Sequence, residues 1–470
     1  MRTIIACVLS VAVLLPGAGA SASSFAGYWD GSVKLPGMAL DIHVYLTQGE
    51  DGAWSGTIDI PMQGAKDIPL SNITVAGDSI SFAIAGVPGN PTFKGALDGD
   101  HIAGPFSQNG QTFPFELARG TAQPPRRPQD PVPPFPYTSE DVTFKSGDVT
   151  IAGTLTMPEG DGPFAAVALL TGSGPQNRDE EIFGHRPFLV IADYLTRGGI
   201  AVLRDDDRGV GGSTGSISKS TSADFAEDAL AAVEFLRSHA KIAPDRVGLL
   251  GHSEGAIVGP MAASRSKDVA FLVLLATPGV PAPELLALQT EKILRAEGAS
   301  EEDLKKQVEI NRALTAAATR SGDPDAARAA VHDLIMKQNE LMPPESRPSG
   351  DALGKMVQAS VDQLFSPWFQ FFLRYDPREA LRKVTVPVLA LNGTLDLQVV
   401  DTQNLPAVES ALAETGNKDV TVRSLPGLNH MFQHATTGTV SEYGEIDETI
   451  SPDVLEIIRE WITTRFGPKE

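Results

Sequence analysis

Between Phe25 and Arg119 apolar and polar residues alternate in short runs: Trp29 to Val33, Leu40 to Leu46, Trp54 to Ile60, Ile80 to Ile84 and Phe113 to Leu117. Alternation with period two is the mark of a strand with one face buried. Turn-forming clusters separate the runs, at Gly49-Glu50-Asp51-Gly52, Ala76-Gly77-Asp78, Asp98-Gly99-Asp100 and Asn109-Gly110. The last needs positive φ at both positions and marks a hairpin. About eight strands at this spacing predict a small all-β barrel or sandwich over residues 25–120. His43 and His101 have no ligand-type neighbours in sequence and read as surface or satisfied strand histidines.

The pattern changes after a proline-rich stretch, residues 121–137, which holds Pro124-Pro125, Pro128, Pro131, Pro133-Pro134 and Pro136. Such density excludes helix and interior strand and favours a stiff spacer. From residue 138 to 470 continuous apolar runs alternate with helical periods. Val149 to Met157, Phe164 to Leu170, Ile200 to Leu203, Val247 to Leu250, Val269 to Leu275, Val386 to Leu391 and Val420 to Val422 read as strands, with Ala223 to Ser238 as one of the helices between them. Strands buried on both faces and alternating with helices predict an α/β fold built on a doubly wound, mostly parallel sheet. Ser451 stands where it can cap the closing helix, with Pro452 in its first turn. Across about 279–375 the alternation gives way to helices, one opened by Ser300-Glu301-Glu302-Asp303 and another by Asp323-Pro324. A helical insertion there forms a cap over the carboxyl edge of the sheet, where ligands bind in open α/β folds. The aromatics Trp368, Phe369, Phe371 and Phe372 read first as packing between cap and sheet, with an acyl-pocket wall as the alternative.

Composition narrows the partners. A net charge of -21 and a pI near 4.8 speak against nucleic acid or an anionic membrane. The single cysteine, Cys7, excludes a disulfide framework, a zinc-thiolate site and a cysteine nucleophile. It sits in residues 1–22, which read as a signal peptide: Arg2, an apolar stretch from Ile4 to Leu15, then Ala18-Gly19-Ala20 with Ala20-Ser21-Ala22 as a second cleavage choice. No later run is long enough to span a bilayer. These features predict a periplasmic or secreted protein.

The chemistry is concentrated at Gly251-His252-Ser253-Glu254-Gly255, between the strand-type run ending at Leu250 and a helix-compatible segment from Ala256. Strand, tight turn and helix make this a nucleophile elbow with Ser253 as nucleophile. The acid and histidine of such a triad follow in that order. Asp396 stands in a turn after a strand at the same sheet edge, with Asp401 in reserve. Of the eight histidines, His185, His239 and His332 precede the acid, and His252 is a sequence neighbour whose ring cannot easily reach Ser253. His430 follows the last strand, and His434 is a weaker alternative. For the oxyanion, the Glu254 N–H and the Ser173 N–H are the expected donors, the second from the loop Thr171-Gly172-Ser173-Gly174-Pro175, with Gly174 in reserve. The run Asp205-Asp206-Asp207 does not read as a metal site, since successive side chains in an extended segment point in alternate directions. It is expected instead to form a hydrogen-bonded loop with Arg208 paired to a neighbouring aspartate. No metal and no cofactor are expected.

Four motifs in one order, Gly172-Ser173-Gly174-Pro175-Gln176, Asp206-Asp207-Arg208-Gly209-Val210-Gly211, Gly251-His252-Ser253-Glu254-Gly255 and Leu428-Asn429-His430, resemble the bacterial α/β-hydrolases of the EstD-type carboxylesterase group, often grouped with serine aminopeptidases. The resemblance runs from about Tyr137 to the C-terminus. It implies a serine carboxylesterase with a helical cap that acts on small esters with short acyl chains. The expected reaction is acyl transfer to water through an acyl-enzyme. Two readings stand beside it: a serine aminopeptidase or amidase with the same triad, and a hydrolase fold without activity that serves as a binding protein.

Overall fold

The alternating segment closes on itself. The computed structural model describes residues 25–467 apart from 36–37, 49–53, 61, 63–64, 86, 88, 90, 109, 121–126, 321 and 341–346. The signal-peptide segment, the turn at Gly49-Glu50-Asp51-Gly52, Asn109 and the first prolines of the linker thus lie outside the described residues. Strands β1 (Gly27–Leu35), β2 (Met38–Gln48), β3 (Trp54–Ile60), β4 (Ala65–Ala76), β5 (Ser79–Ile84), β6 (Thr92–Asp98), β7 (His101–Gln108) and β8 (Gln111–Arg119) pair in sequence order, and β8 returns to β1. Of the two expected architectures the chain adopts the closed antiparallel barrel, which leaves no open sheet edge. One face of each strand fills the interior. Phe93 packs there against Phe82, Phe106 and Phe115 at ring separations of 4.8, 4.6 and 5.1 Å. The fully buried Trp29 donates its indole N–H to the Phe25 carbonyl at 2.8 Å, and the Arg119 guanidinium covers its ring at 4.2 Å. His43 meets Asp30 across β1 and β2 at 2.7 Å, and His101 lies 3.8 Å from Glu116.

The end of the proline-rich stretch is fastened to the second half of the chain. Arg127 donates to the carbonyls of Phe183, Gly444 and Ile446 at 2.9, 2.8 and 3.1 Å. The Gln129 amide donates to the Ile450 carbonyl at 2.7 Å and accepts from the Thr449 N–H at 2.6 Å. Asp130 is paired with Arg186 at 2.6 Å.

Eight further strands form the second sheet: β9 (Tyr137–Ser146), β10 (Val149–Pro158), β11 (Phe164–Leu170), β12 (Ile200–Asp205), β13 (Ile242–His252), β14 (Leu272–Leu275), β15 (Val388–Gly393) and β16 (Val420–Leu425). Their spatial order is β16-β15-β14-β13-β11-β12-β10-β9. All neighbours from β12 to β16 run parallel, and β10 and β9 close one edge antiparallel. The helices, in chain order, are α1 (Pro187–Arg197), α2 (Ser222–Ser238), α3 (Gly255–Ala263), α4 (Ala282–Ala296), α5 (Glu301–Thr319), α6 (Pro324–Glu340), α7 (Gly350–Leu364), α8 (Pro367–Arg374), α9 (Arg378–Leu381), α10 (Asp401–Ala413), α11 (Val440–Tyr443) and α12 (Pro452–Phe466). Strand β11 shows why its run is continuously apolar. Ala166, Ala168 and Leu170 face the core under α2, α3 and α10, while Val167 and Leu169 face the core under α1 and α12.

Helices α4 to α8 form the cap around their own small core, which includes Val331, Ile335, Val357 and Val361. Ser300 caps α5 as expected, accepting from the Asp303 N–H at 3.2 Å. Ser451 corrects an expectation. It occupies the cap position of α12, but its buried hydroxyl makes no cap bond and has no partner among the described residues. Its backbone N–H is committed to the Phe432 carbonyl at 2.8 Å, which ties the start of α12 to the loop after β16.

Candidate active site

Strand order reverses at β11: the chain leaves it for β12 on one side and returns as β13 on the other. Loops diverge from such a point and leave a crevice at the carboxyl ends of the strands. Ser253 stands at that crevice, between β13 and α3, with φ at +53°. This left-handed conformation costs a non-glycine residue on the order of 1–3 kcal/mol and persists only where its surroundings enforce it. They do so here through the two glycines. A Cβ on Gly251 would lie 2.1 Å from the Gly255 carbonyl oxygen, and one on Gly255 would lie 2.1 Å from that of Leu170. The Ser253 N–H is fixed to the Leu275 carbonyl at 2.9 Å.

The structure brings Asp396 and His430 together. Asp396 lies in the turn after β15 and His430 in the loop after β16, and the His430 Nδ1 is 2.8 Å from the Asp396 Oδ2. Both side chains are buried, at 0% and 7% exposure, so little solvent screens the contact. The other Asp396 oxygen accepts the N–H groups of Gln398 and Val399 at 2.9 and 2.8 Å, which fixes the carboxylate as an acceptor. The reserve residues go elsewhere. Asp401 begins α10 and takes the Ser424 hydroxyl, and His434 is exposed and paired with Glu448 at 2.9 Å.

The loop after β11 lies over the elbow: a Cβ on Gly172 would come 3.5 Å from that of Ser253. The Gly172 N–H is occupied by Glu180 Oε1 at 2.6 Å, whereas among the described residues no acceptor engages the N–H of Ser173 or of Glu254. Asp207 braces this loop, accepting the Thr171 hydroxyl at 2.7 Å and the Gln176 N–H at 2.8 Å. Burial pushes the Asp207 carboxyl well above its ordinary value. The other two aspartates of the run diverge, as their alternation requires. Asp206 is bonded to Arg178, 2.8 Å from its Nη2, and Asp205 faces the interior with one oxygen unpartnered. Arg208 pairs with Asp228 on α2, 2.8 Å from Oδ1, rather than with an adjacent aspartate. Helix α2 faces this loop across the sheet edge, which local sequence does not show.

Two residues at the site have side chains whose roles the sequence did not show. Glu254 turns its side chain away from the elbow and accepts, on one oxygen, the Ser222 hydroxyl at 2.6 Å and the Trp368 indole N–H at 2.7 Å. Burial raises its pKa, and those two hydrogen bonds counter the rise only in part. Trp368 is thereby the contact between cap helix α8 and the elbow. Of the other aromatics on α8, Phe369 packs in the cap core, Phe371 against the sheet core and Phe372 against both. Glu180, the second residue, has φ of +51° and joins Gly172 to His252. The acidic run Asp179-Glu180-Glu181 beside a Gly-Ser-Gly loop was its only sequence signal.

An eight-stranded, mostly parallel sheet with a strained serine after β13 and a buried Asp–His pair after β15 and β16 defines an α/β-hydrolase with a helical cap. The chain belongs to the X-Pro dipeptidyl-peptidase (S15) family, whose model matches residues 129–423, more than half of its length. Esterase EstD of Thermotoga maritima is 28% identical over 330 residues, 69% of this chain and 68% of that protein. Among solved structures, an esterase of Pyrococcus furiosus is 17% identical with a TM-score of 0.42, covering 71% of this chain and 92% of that one. Est1E of Butyrivibrio proteoclasticus with ferulic acid bound is 16% identical with a TM-score of 0.38, covering 69% and 97%.

Proposed function

We propose that the protein is an exported serine carboxylesterase that hydrolyses short-chain acyl esters, with Ser253, His430 and Asp396 as its triad. The observation that carries this reading is the buried His430–Asp396 hydrogen bond at the same sheet edge as the strained Ser253. Ser253 Oγ attacks the ester carbonyl while His430 Nε2 takes its proton, and Asp396 holds the proton on Nδ1. The N–H groups of Glu254 and Ser173 receive the oxyanion. Collapse expels the alkoxide, which takes the proton from His430 and leaves as the alcohol. Water then attacks the acyl-enzyme, gives a proton to His430, and the second collapse returns that proton to Ser253 and releases the acid.

The family takes its name from a peptidase, and a second reading follows from it: cleavage of an X-Pro dipeptide from a substrate bound through its amino group. A substrate ammonium requires an unengaged anion close to the elbow. Asp207 spends both oxygens on protein donors, while Glu180 and Glu254 each spend one. Glu180 holds Gly172 and His252, Asp207 holds Thr171 and Gln176, and Glu254 holds Ser222 and Trp368. The likeness to Esterase EstD favours the ester. The aromatic end of α8, anchored through Trp368, supports a closed acyl side and therefore short chains.

A fluorophosphonate is expected to label Ser253 alone, and Ser253→Ala to abolish labelling and lower kcat by roughly 10⁴- to 10⁶-fold with unchanged circular dichroism. Persistent labelling of that variant rejects the triad. The kcat/KM ratio of a short acyl ester to an X-Pro amide bearing a comparable chromophore separates the two readings, and comparable turnover of the amide rejects the esterase. Export rests on Arg2, the apolar run to Leu15 and the small residues at Ala18-Gly19-Ala20. N-terminal sequencing of the exported protein is expected to begin at Ser21 or Ser23, and a chain retained in the cell with an intact Met1 rejects it.

A further inference from the structure

Next to the nucleophile lies a buried pair that takes no part in the proposed bond-making. His252 Nδ1 is 3.0 Å from Glu180 Oε1, and His252 Nε2 is 3.0 Å from the backbone carbonyl oxygen of His430. The side chains of His252 and Glu180 are 9% and 5% exposed. Both atoms that face the ring are acceptors. A carbonyl oxygen has no proton to give, and Glu180 Oε1, which also accepts the Gly172 N–H at 2.6 Å, has none to give as an ionised carboxylate. A neutral imidazole donates from one nitrogen only; an imidazole that donates from both carries two protons and a positive charge.

We infer that His252 is a buried imidazolium paired with the Glu180 carboxylate, and that this pair is a positioning device joining the oxyanion loop to the loop that carries the catalytic base. At one end Glu180 fixes Gly172 and so the placement of the Ser173 N–H that follows it. At the other end His252 fixes the His430 carbonyl and so the backbone from which the His430 ring projects. The pair does nothing to the substrate directly. What it positions rests on the triad reading above; its own charge does not.

The groups facing His252 come from each loop at this edge. They are Glu180 after β11, Asp396 after β15, and His430 after β16 with its ring centroid 4.8 Å away. Glu254 adjoins the elbow, and Asp207 senses both Glu180 and Glu254. Burial opposes a charge on His252, but Glu180 and the His430 carbonyl more than offset it and raise the imidazole above its ordinary value. For a base raised in the folded state, the stabilisation is complete below the unfolded value, about 6.5, and is lost as pH rises through the folded value. The pair therefore acts on the alkaline side of the activity profile.

The first test is ring-nitrogen NMR of the full-length protein labelled with ¹⁵N-histidine, assigned with His252→Gln. His252 is expected to show two protonated ring nitrogens at pH 7; a single protonated nitrogen overturns the inference. The second is Glu180→Gln, which keeps an acceptor of the same shape and removes the charge. His252 is expected to fall to one ring proton at pH 7, kcat to drop roughly 10- to 100-fold with little change in KM, and the alkaline edge of activity to move to lower pH. A Glu180→Gln enzyme with wild-type kcat and an unmoved alkaline edge overturns the positioning role. Fluorophosphonate labelling of Ser253→Ala reports on the triad separately. If the triad falls there, the protonation of His252 can still be read by NMR, and if His252 is neutral the triad can still stand.

Discussion

Among the described residues up to Leu117 no polar or charged side chain is buried, and the barrel interior is filled by groups such as Trp29, Phe82, Phe93 and Phe115. From Asp130 onward the buried set includes His185, Asp206, His252, Glu254, Asp396 and His430. Backbone strain divides in the same way. Asn72 is the one described non-glycine residue of the barrel with positive φ, against Glu180, Phe183, Ser253, Ala276 and Phe432 in the α/β unit. An apolar interior needs no partners and stabilises its fold in proportion to the area it hides. A buried polar group costs about 1–3 kcal/mol unless every hydrogen bond is supplied, and a strained residue adds a similar amount. Both costs gather along one sheet edge, where they set the geometry of Ser253, Asp396 and His430. The barrel is organised for folding, and the α/β unit holds a site against the preferences of its own backbone.

The largest effect that can test this contrast is a cavity in the barrel. Phe93→Ala removes the ring at the centre of Phe82, Phe106 and Phe115, and is expected to lower barrel stability by about 3–5 kcal/mol. The measurement is thermal unfolding followed by near-ultraviolet circular dichroism, together with kcat/KM for a short-chain ester. Ester turnover at a temperature where the variant remains folded is expected to stay within about twofold. A large fall in turnover breaks the contrast and makes the barrel a working part of the site.

The same division explains how much of the molecule was legible in its sequence. Barrel strands were readable because alternation is a local property, and the choice between barrel and sandwich was not, because it depends on β8 returning to β1. The elbow was readable because Gly251 and Gly255 are excluded from bearing side chains by atoms a few residues away or on the next strand. Chain order picked out Asp396 and His430, which the structure sets 2.8 Å apart. The supports of the site were hidden. Glu180 meets His252, Asp207 holds Thr171, and Trp368 reaches Glu254, each across a long stretch of chain. Nothing in local spacing says which carboxyl will meet which donor. His252 was set aside because its ring cannot easily reach Ser253, and its contacts run instead to Glu180 and the His430 carbonyl.

A middle-sized effect is expected at the junction between the two regions. Arg127 sits in the proline-rich stretch, yet its guanidinium serves three carbonyls, two of them between α11 and α12, and burial lowers its pKa. Arg127→Ala is expected to destabilise the α/β unit by about 2 kcal/mol, the range for hydrogen bonds that involve a charged group. Deleting residues 25–121 leaves this anchor in place and is expected to yield a folded hydrolase. Deleting 25–130 removes Arg127, Gln129 and Asp130 together and is expected to lower the denaturation midpoint well below that of the shorter deletion. Equal midpoints for the two deletions would show that the contacts of Arg127 to Asp130 add nothing to the α/β unit.

The smallest effect expected is at Trp368, and it sharpens the contrast most. Trp368→Phe keeps an aromatic ring to stack on Phe372, where the present rings lie 5.4 Å apart at an interplanar angle of 9°, and removes only the indole N–H that reaches Glu254. Glu254 keeps the Ser222 hydroxyl, so its carboxyl is not left without a donor. The loss is therefore that of one hydrogen bond, about 1 kcal/mol, or roughly fivefold in an equilibrium or rate constant. In an apolar interior such a change would register as stability alone. Here the bond joins cap helix α8 to the residue whose N–H is assigned to the oxyanion, so the loss is expected in kcat/KM, mostly through kcat, with the unfolding midpoint nearly unchanged. If α8 closes the acyl side, loosening it also narrows the preference for short over long acyl esters. Steady-state kinetics on two esters that differ only in chain length read both effects. A variant with unchanged kcat/KM and an unchanged chain-length ratio would reduce Trp368 to packing, and α8 would then belong with the cap core rather than with the site.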